Sequence, residues 1–167
     1  HDGPSAIRYP RGRVTQGTAY STQHSDLKIG KAEIMADGDD IAIVAVGNTV
    51  YPALKAAEKL GENGVTACVI NARFIKPLDE ELIVSLAERT KRIITVEENV
   101  LAGGFGSAVL ECISKAGLNE VQVRRIGIDD QFIEHGSQSI LRKKYGLDEE
   151  GIYSACKDCL APHPSLL

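Results

Sequence analysis

Two adjacent carboxylates followed by a glycine-rich turn are the residues of this sequence best suited to chemistry. They lie in residues 96–107, which read VEENVLAGGFGS. The free N–H groups and the dipole at the start of a helix favour an anion such as a phosphate. The glycine spacing does not match the dinucleotide fingerprint, and the Gly-Lys-Ser/Thr of a P-loop is missing. The turn predicts either an anion site at Gly103 and Gly104 or tight helix–strand packing in which both glycines supply unusual backbone angles.

Glu97 and Glu98 have the residue type of an acid–base pair but the wrong spacing for one. Adjacent residues of a strand point to opposite faces of the sheet, so the two carboxylates cannot act on one substrate atom. We expect one of them to accept hydrogen bonds from backbone N–H groups of the following loop.

Two other loops follow predicted strands, at the edge of an α/β sheet where ligands usually bind. In residues 71–79 (NARFIKPLD), Arg73 and Lys76 are candidates to hold an anion or a carboxylate of a partner domain, or to be ordinary solvated charges. In residues 129–136 (DDQFIEHG), His135 is the candidate histidine of the folded part. A metal ion would need converging ligands that the sequence does not show, so we interpret His135 as a hydrogen-bonded interface residue.

Two arginines surround an extended Tyr-Pro pair near the start of the chain, in residues 8–12 (RYPRG). A planar guanidinium such as that of Arg11 can hold a phosphate. On residue type alone, however, Arg8 and Arg11 indicate a basic linker.

Alternating strands and helices must position these loops. Residues 41–47 (IAIVAVG) are typical of a strand buried on both faces of a parallel sheet. The alternation predicts an α/β fold: a three-layer α/β/α sandwich with a mostly parallel sheet of about five strands. A tight turn at residues 37–40 follows the first strand, so we expect that strand to be antiparallel to the others. The predicted strands are residues 29–35, 41–47, 65–71, 92–98 and 121–128, and the predicted helices run from Asn48 or Thr49 to about residue 60 and over residues 79–89, 104–116, 137–145 and 148–160.

The composition is that of a globular protein with one core. The chain has 167 residues, of which 43% are hydrophobic and 25% charged, and a net charge of −4. The negative charge argues against nucleic acid as a partner. No stretch approaches the roughly 20 apolar residues of a membrane span, so we expect no membrane partner. The four cysteines indicate no disulfide framework and favour the cytosol, and the Cys156–Cys159 pair lacks the second ligand pair of a zinc site.

Four segments resemble, in order and spacing, the end of the 1-deoxy-D-xylulose-5-phosphate synthases, a family of the transketolase superfamily. The VEE…GG-G pattern is shared with transketolases and with pyruvate dehydrogenase beta subunits, whereas the other segments are closer to the synthases. The resemblance extends to about residue 156. The segments are residues 3–12 (GPSAIRYPRG), 71–79 (NARFIKPLD), 96–107 (VEENVLAGGFGS) and 130–136 (DQFIEHG).

This resemblance implies an enzyme that condenses pyruvate with D-glyceraldehyde 3-phosphate to 1-deoxy-D-xylulose 5-phosphate, a precursor of isoprenoids and thiamine. The family uses thiamine diphosphate and Mg2+, held by upstream pyrophosphate-binding and pyrimidine-binding domains whose Gly-Asp-Gly motif and catalytic residues are not in this sequence. Residues 1–25 would then be the end of the pyrimidine-binding domain plus a linker, residues 26–160 a transketolase C-terminal-like domain, and residues 161–167 a tail.

The resemblance also implies that this chain is inactive by itself, binds no cofactor or metal, and has no catalytic residue. Its expected partners are the upstream domains of the same polypeptide, in a cytoplasmic homodimer. Arg11 matches the family arginine that approaches the substrate phosphate. The candidates for interdomain or anion contacts are Arg8, Arg73, Lys76, Glu98, Gly103, Gly104 and His135.

Other interpretations remain open at this point. The alternatives are the C-terminal domain of a transketolase or of a 2-oxo acid dehydrogenase beta subunit, or a subunit of a split enzyme. A different class of function is an anion-binding regulatory module that uses the Gly103–Gly104 turn or the Arg73 and Lys76 loop.

Overall fold

Five strands and five α-helices alternate along the part of the chain that the structure, a computed structural model, describes: residues 3–7 and 27–161. Arg8 and Arg11 lie outside the described residues. The strands are β1 (Glu33–Ala36), β2 (Ile41–Ala45), β3 (Ala67–Asn71), β4 (Arg92–Val100) and β5 (Gln122–Ile128). The helices are α1 (Val50–Gly61), α2 (Glu80–Thr90), α3 (Phe105–Lys115), α4 (Gln138–Lys144) and α5 (Glu149–Leu160), and a short 3-10 helix covers Gly47–Thr49.

The strands form one mixed sheet in the order β1-β3-β2-β4-β5. β2 pairs in parallel with β3 and β4, β4 pairs in parallel with β5, and β1 pairs antiparallel with β3. The turn between β1 and β2 is too short for a parallel crossover, which explains the antiparallel first strand. Asp40 stabilises this turn, since its carboxylate accepts hydrogen bonds from the backbone N and the hydroxyl of Thr66, both at 2.7 Å.

Alternate residues of the central strand supply the two cores of a three-layer sandwich. Ile41 and Ile43 pack in the cluster that includes α1 and α5, whereas Ala42 and Val44 pack in the cluster that includes α2 and α3. All five residues of β2 are buried. Successive side chains of a strand point to opposite faces, so a strand covered on both sides must be apolar throughout. The predicted fold class is confirmed.

The first strand is shorter than the sequence predicts. Residues 28–31 form a turn in which Lys31 N donates to Lys28 O at 3.1 Å. Gly30 has a φ of 74°, a backbone conformation that glycine adopts at no steric cost and that ends an extended segment. The strand therefore begins only at Glu33.

The Cys156–Cys159 pair belongs to the core of the sandwich. Both thiols lie on the inner side of α5, 0% and 2% exposed. Burial raises the pKa of Cys156 to about 12 and also raises the pKa of Cys159, so neither is a thiolate near neutral pH. Residues 3–7 and 27–161 contain no group of three or more His, Cys, Asp or Glu that could hold a metal ion. No helix in this part of the chain is long and apolar enough to cross a bilayer.

The loops singled out in the sequence meet at one edge of the sheet. They follow the carboxyl ends of the parallel strands, at residues 46–49, 72–79, 101–104 and 129–137. Because β1 is antiparallel, residues 27–32, which precede it, lie at the same edge: Ala32 N donates to the Asp79 carboxylate at 3.0 Å. Helix α4 belongs there too, because its Arg142 bonds to Glu98. We call these four loops, residues 27–32 and α4 the carboxyl edge.

Candidate functional site

A bulge at the end of β4 directs the two adjacent carboxylates of the carboxyl edge. Val96 pairs with Ile126 and Val100 pairs with Ile128, so residues 97–99 lie opposite Gly127 alone. A Cβ on Gly127 would lie 3.1 Å from Glu97 Cγ and 2.7 Å from a methyl carbon of Leu101. Glycine thus relieves close contacts at this position of β5, and the bulge turns Glu97 towards α3.

Glu97 binds the N-terminus of α3. Its two carboxylate oxygens accept hydrogen bonds from the backbone N of Phe105 and of Gly106, each at 2.8 Å, and the residue is 1% exposed. The first amides of a helix have no partner within the helix and lie at the positive end of its dipole. A buried carboxylate at this position has both its hydrogen bonds and its charge compensated, as a buried anion must.

The glycines of the turn make room for this contact. Gly103 has a φ of 68°, the unusual backbone angle that the sequence predicts. Gly104 has an ordinary φ of −80°, so the expectation of an unusual angle there is wrong. A Cβ on Gly104 would instead lie 2.4 Å from Glu97 Oε2 and 2.2 Å from Val100 O. Close approach, and not backbone conformation, requires glycine at position 104.

The predicted anion site at this turn is filled by the protein itself. The donors that a phosphate would use on α3 are the two amides that bind Glu97. The expectation that one of the paired carboxylates bonds to the following loop is confirmed for Glu97. The two carboxylates also diverge as predicted, since Glu97 is buried whereas Glu98 is exposed.

Arg125 braces the same turn, and sequence reasoning did not single it out. Its Nη1 donates to Leu101 O and to Ser107 Oγ, each at 2.9 Å, and Ser107 Oγ donates to Leu101 O. The aliphatic part of Arg125 covers Gly106, where a Cβ would lie 2.9 Å from Arg125 Cδ. No local pattern marks this arginine, because its partners lie 18 and 24 residues away.

Glu98 links three elements on the other face of the sheet. It accepts hydrogen bonds from Asn48 Nδ2 at 3.2 Å and from Arg142 Nε, which also places it in an ion pair with α4. This candidate for an interdomain contact therefore holds α4 against the end of β4. Arg142 is a second residue of the site that the sequence did not indicate.

Arg73 and Lys76 occupy the loop after β3 in different ways. Arg73 has a φ of 56° and forms an ion pair with Glu33 of β1, so its guanidinium already meets a carboxylate of the same chain. Its side chain is only 16% exposed. Lys76 is exposed. Of these two candidates for an anion contact, Lys76 alone is exposed.

The loop at residues 129–137 is held at its second half and exposed at its tip. Glu134 accepts hydrogen bonds from Lys144 Nζ and, at 2.9 Å, from the Tyr145 hydroxyl. Ser137 caps α4 by accepting from Ile140 N at 3.4 Å. His135 is exposed, so its hydrogen bond across an interface stays a prediction.

The site as a whole is a junction of loops. Its buried carboxylate is committed to two amides, and its arginines bond to carbonyls, hydroxyls or carboxylates of the same chain. What remains available to a ligand or partner is the exposed surface of the carboxyl edge.

The Glu97 contact predicts unequal effects of two matched substitutions. Glu97→Gln replaces one acceptor with an amide NH2 that faces a helix N–H, so we expect the free energy of unfolding to fall by about 2–3 kcal/mol. Glu98→Gln, on the exposed face, should cost at most about 1 kcal/mol. Urea unfolding of the chain, followed by circular dichroism, measures both. Equal effects would show that the helix N-terminus does not depend on the buried charge.

A second prediction concerns the pH dependence of the loop that ends at Ser137. The Lys144 ammonium, then a backbone N–H and the Tyr145 hydroxyl, lower the pKa of Glu134 from 4.5 to about 2. Because the pKa is lowered in the folded state, the stabilisation from these contacts is complete above pH 4.5 and disappears as the pH falls through about 2. An NMR titration of the Glu134 carboxyl should give a midpoint near 2.

The cause of that shift is tested by Lys144→Met, with Lys143→Met as control. Loss of Lys144 should raise the pKa of Glu134 towards its ordinary value, whereas loss of the neighbouring Lys143 should leave it unchanged. If Lys144→Met left the titration midpoint of Glu134 unchanged, the ion pair with Lys144 would not be the cause of the lowered pKa.

Comparison with known proteins agrees with the fold and identifies its family. Residues 30–152 match the family model for the transketolase C-terminal domain. The chain is 52% identical over 170 residues to 1-deoxy-D-xylulose-5-phosphate synthase 1 of Geobacter sulfurreducens, which covers 99% of this chain and 26% of the relative. It is 56% identical over 147 residues to the 1-deoxy-D-xylulose-5-phosphate synthase of Desulforudis audaxviator, which covers 88% of this chain and 23% of the relative.

A solved structure shows the same architecture. It is described as a split gene transketolase, inactive beta4 tetramer, with a TM-score of 0.75 and 34% identity, over 80% of this chain and 43% of that one. The chain thus spans about a quarter of the length of the curated relatives it matches. The resemblance inferred from the four sequence segments is confirmed, and the chain belongs to the transketolase C-terminal domain family.

Proposed function

We propose that this chain is the C-terminal domain of a 1-deoxy-D-xylulose-5-phosphate synthase, which condenses pyruvate with D-glyceraldehyde 3-phosphate. The observation that carries the proposal is the identity of 52% to such a synthase across 99% of the chain. The geometry supports a non-catalytic role for the domain, because its buried carboxylate and its arginines are engaged in holding loops. In this proposal residues 26–160 are the domain and residues 1–25 connect it to the pyrimidine-binding domain.

Thiamine diphosphate and Mg2+ do not fit the described residues. A pyrophosphate needs free donors and a magnesium ion needs several oxygen ligands. The amides of α3 that would serve the first purpose bind Glu97. Among residues 3–7 and 27–161, no group of three or more acidic, histidine or cysteine side chains could serve the second. The proposal therefore assigns both cofactors to the upstream domains of a cytosolic homodimer.

The full-length protein tests the proposed activity. Supplied with pyruvate, D-glyceraldehyde 3-phosphate, thiamine diphosphate and Mg2+, it should form 1-deoxy-D-xylulose 5-phosphate and carbon dioxide, detected by mass spectrometry. The 167-residue chain alone should form neither product. Calorimetry should show no binding of thiamine diphosphate to the chain, because Glu97 already occupies the N-terminus of α3. Micromolar affinity for the cofactor, or a full-length protein inactive with these substrates, would contradict the proposal.

Arg11 carries the one substrate contact that the proposal places in this chain. A charge-assisted hydrogen bond to the phosphate of D-glyceraldehyde 3-phosphate is worth about 1.5–3 kcal/mol, so Arg11→Ala should raise the KM for this substrate by roughly 10- to 100-fold. The KM for pyruvate, which lacks a phosphate, should not change. Arg8→Ala is the matched control in the full-length protein. If Arg8→Ala raised the KM for D-glyceraldehyde 3-phosphate and Arg11→Ala did not, the contact would belong to Arg8.

A second candidate is a subunit of a split transketolase, which the 34% identity to a split gene transketolase favours. The higher identity to undivided synthases argues for the first proposal. Transfer of a two-carbon unit between sugar phosphates, without release of carbon dioxide, would support the second candidate in the same assay.

A further inference from the structure

Exposed apolar side chains are concentrated at the carboxyl edge. The described part of the chain has nine large hydrophobic residues that are exposed, and six of them lie at this edge. Water-exposed apolar area has a free-energy cost, and a concentration of it on one side marks an interaction surface. The six residues are Leu27, Ile29, Ile75, Phe132, Ile133 and Ile140.

Phe132 is the most exposed of the six, at 105% of its reference area, and the loop behind it is fixed. Glu134, two residues after Phe132 in the chain, binds Lys144 and Tyr145. Leu101 N donates to Ile128 O at 2.8 Å at the start of the loop. A loop that is already held loses less conformational entropy on binding, and an aromatic side chain is a common interface anchor.

The six residues extend across the sheet and are accompanied by polar side chains. Ile75 follows β3 and Phe132 follows β5; two strands separate β3 from β5, so the ends of these strands are about 14 Å apart at ordinary strand spacing. Lys76, next to Ile75 in the chain, and His135, three residues after Phe132, are also exposed. Apolar anchors with a polar surround are the usual composition of a protein interface.

The chain outside the described fold indicates which partner covers this surface. The chain is about a quarter as long as its synthase relatives. The described fold begins at Leu27, and residues 27–32 are themselves part of the carboxyl edge. A region joined to the chain on the N-terminal side is connected to this edge through residues 1–26. Such a tether gives it a high effective concentration at this surface.

We propose that the carboxyl edge is the docking surface for the upstream region of the same protein, with Phe132 as its anchor. This inference rests on the proposed function, which supplies that region. It deepens the proposal by naming the surface through which the domain contacts the rest of the enzyme. In the full-length protein, Phe132 and Ile140 are then buried, whereas Leu110, exposed on the outer side of α3, is not.

Hydroxyl-radical footprinting of unmodified protein tests the inference. Oxidation of Phe132 and of Ile140 is compared between the 167-residue chain and the full-length protein by peptide mass spectrometry, with Leu110 as the internal control. We expect oxidation of Phe132 to fall by about tenfold in the full-length protein, as at the centre of a desolvated interface, and Leu110 to be unchanged. In full-length Phe132→Asp, Ile140 should regain its oxidation, whereas Leu110→Asp should leave it protected.

Equal oxidation of Phe132 in the two proteins would overturn the inference. Protection that already appears in the 167-residue chain, and grows with its concentration, would also overturn it and assign the surface to a second copy of the chain. The synthase assay is run on the same full-length sample. Activity without protection refutes only the docking surface, and protection without activity refutes only the proposed reaction.

Discussion

The contact between the Glu97 carboxylate and the first amides of α3 is the constraint on which the carboxyl edge depends. A charge that is 1% exposed is stable only where hydrogen bonds and an opposite potential replace water, and a helix N-terminus supplies both. The contact explains several features at once: a bulge that turns the side chain, a glycine at position 104, where a Cβ would collide with the glutamate, and a glycine at position 127, where a Cβ would be in tight contact with it. The spacing of the VEE and GGFG segments is thus the spacing of a carboxylate and the helix it caps.

This internal anion also decides what the edge can bind. Parallel α/β sheets commonly bind ligands at the carboxyl ends of their strands, often through a helix N-terminus. Here α3 already has its anion, and Arg73 has its carboxylate in Glu33. The amides and the guanidinium that a phosphate would use are therefore already bound to carboxylates of the chain. The exposed groups that remain include six large apolar side chains, and apolar surface suits a protein partner better than a charged ligand.

The sequence predicts those features of the fold that follow from local patterns. Continuous apolar runs indicate the buried strands, the turn at residues 37–40 indicates the antiparallel β1, and strand alternation separates Glu97 from Glu98. The bulge, the steric need for Gly104, and the roles of Arg125 and Arg142 were not predicted. Each depends on atoms that approach only in three dimensions: Arg125 bonds to a carbonyl 24 residues away, and Arg142 to a carboxylate 44 residues away. No spacing rule reaches such partners.

The contrast between the satisfied polar groups and the uncovered apolar ones at this edge bears on the nature of the chain. Some polar side chains there hold the loops through ion pairs, as Glu98–Arg142 and Glu134–Lys144 do. Surface ion pairs of this kind add little to global stability, so their main effect is on the shape of the loops. Holding Phe132 in water gives this fold no stabilisation from burial of that side chain. Stabilisation would come from a complementary surface that covers Phe132. Such an exposed, positioned side chain is expected in a domain that contacts a further part of the same protein.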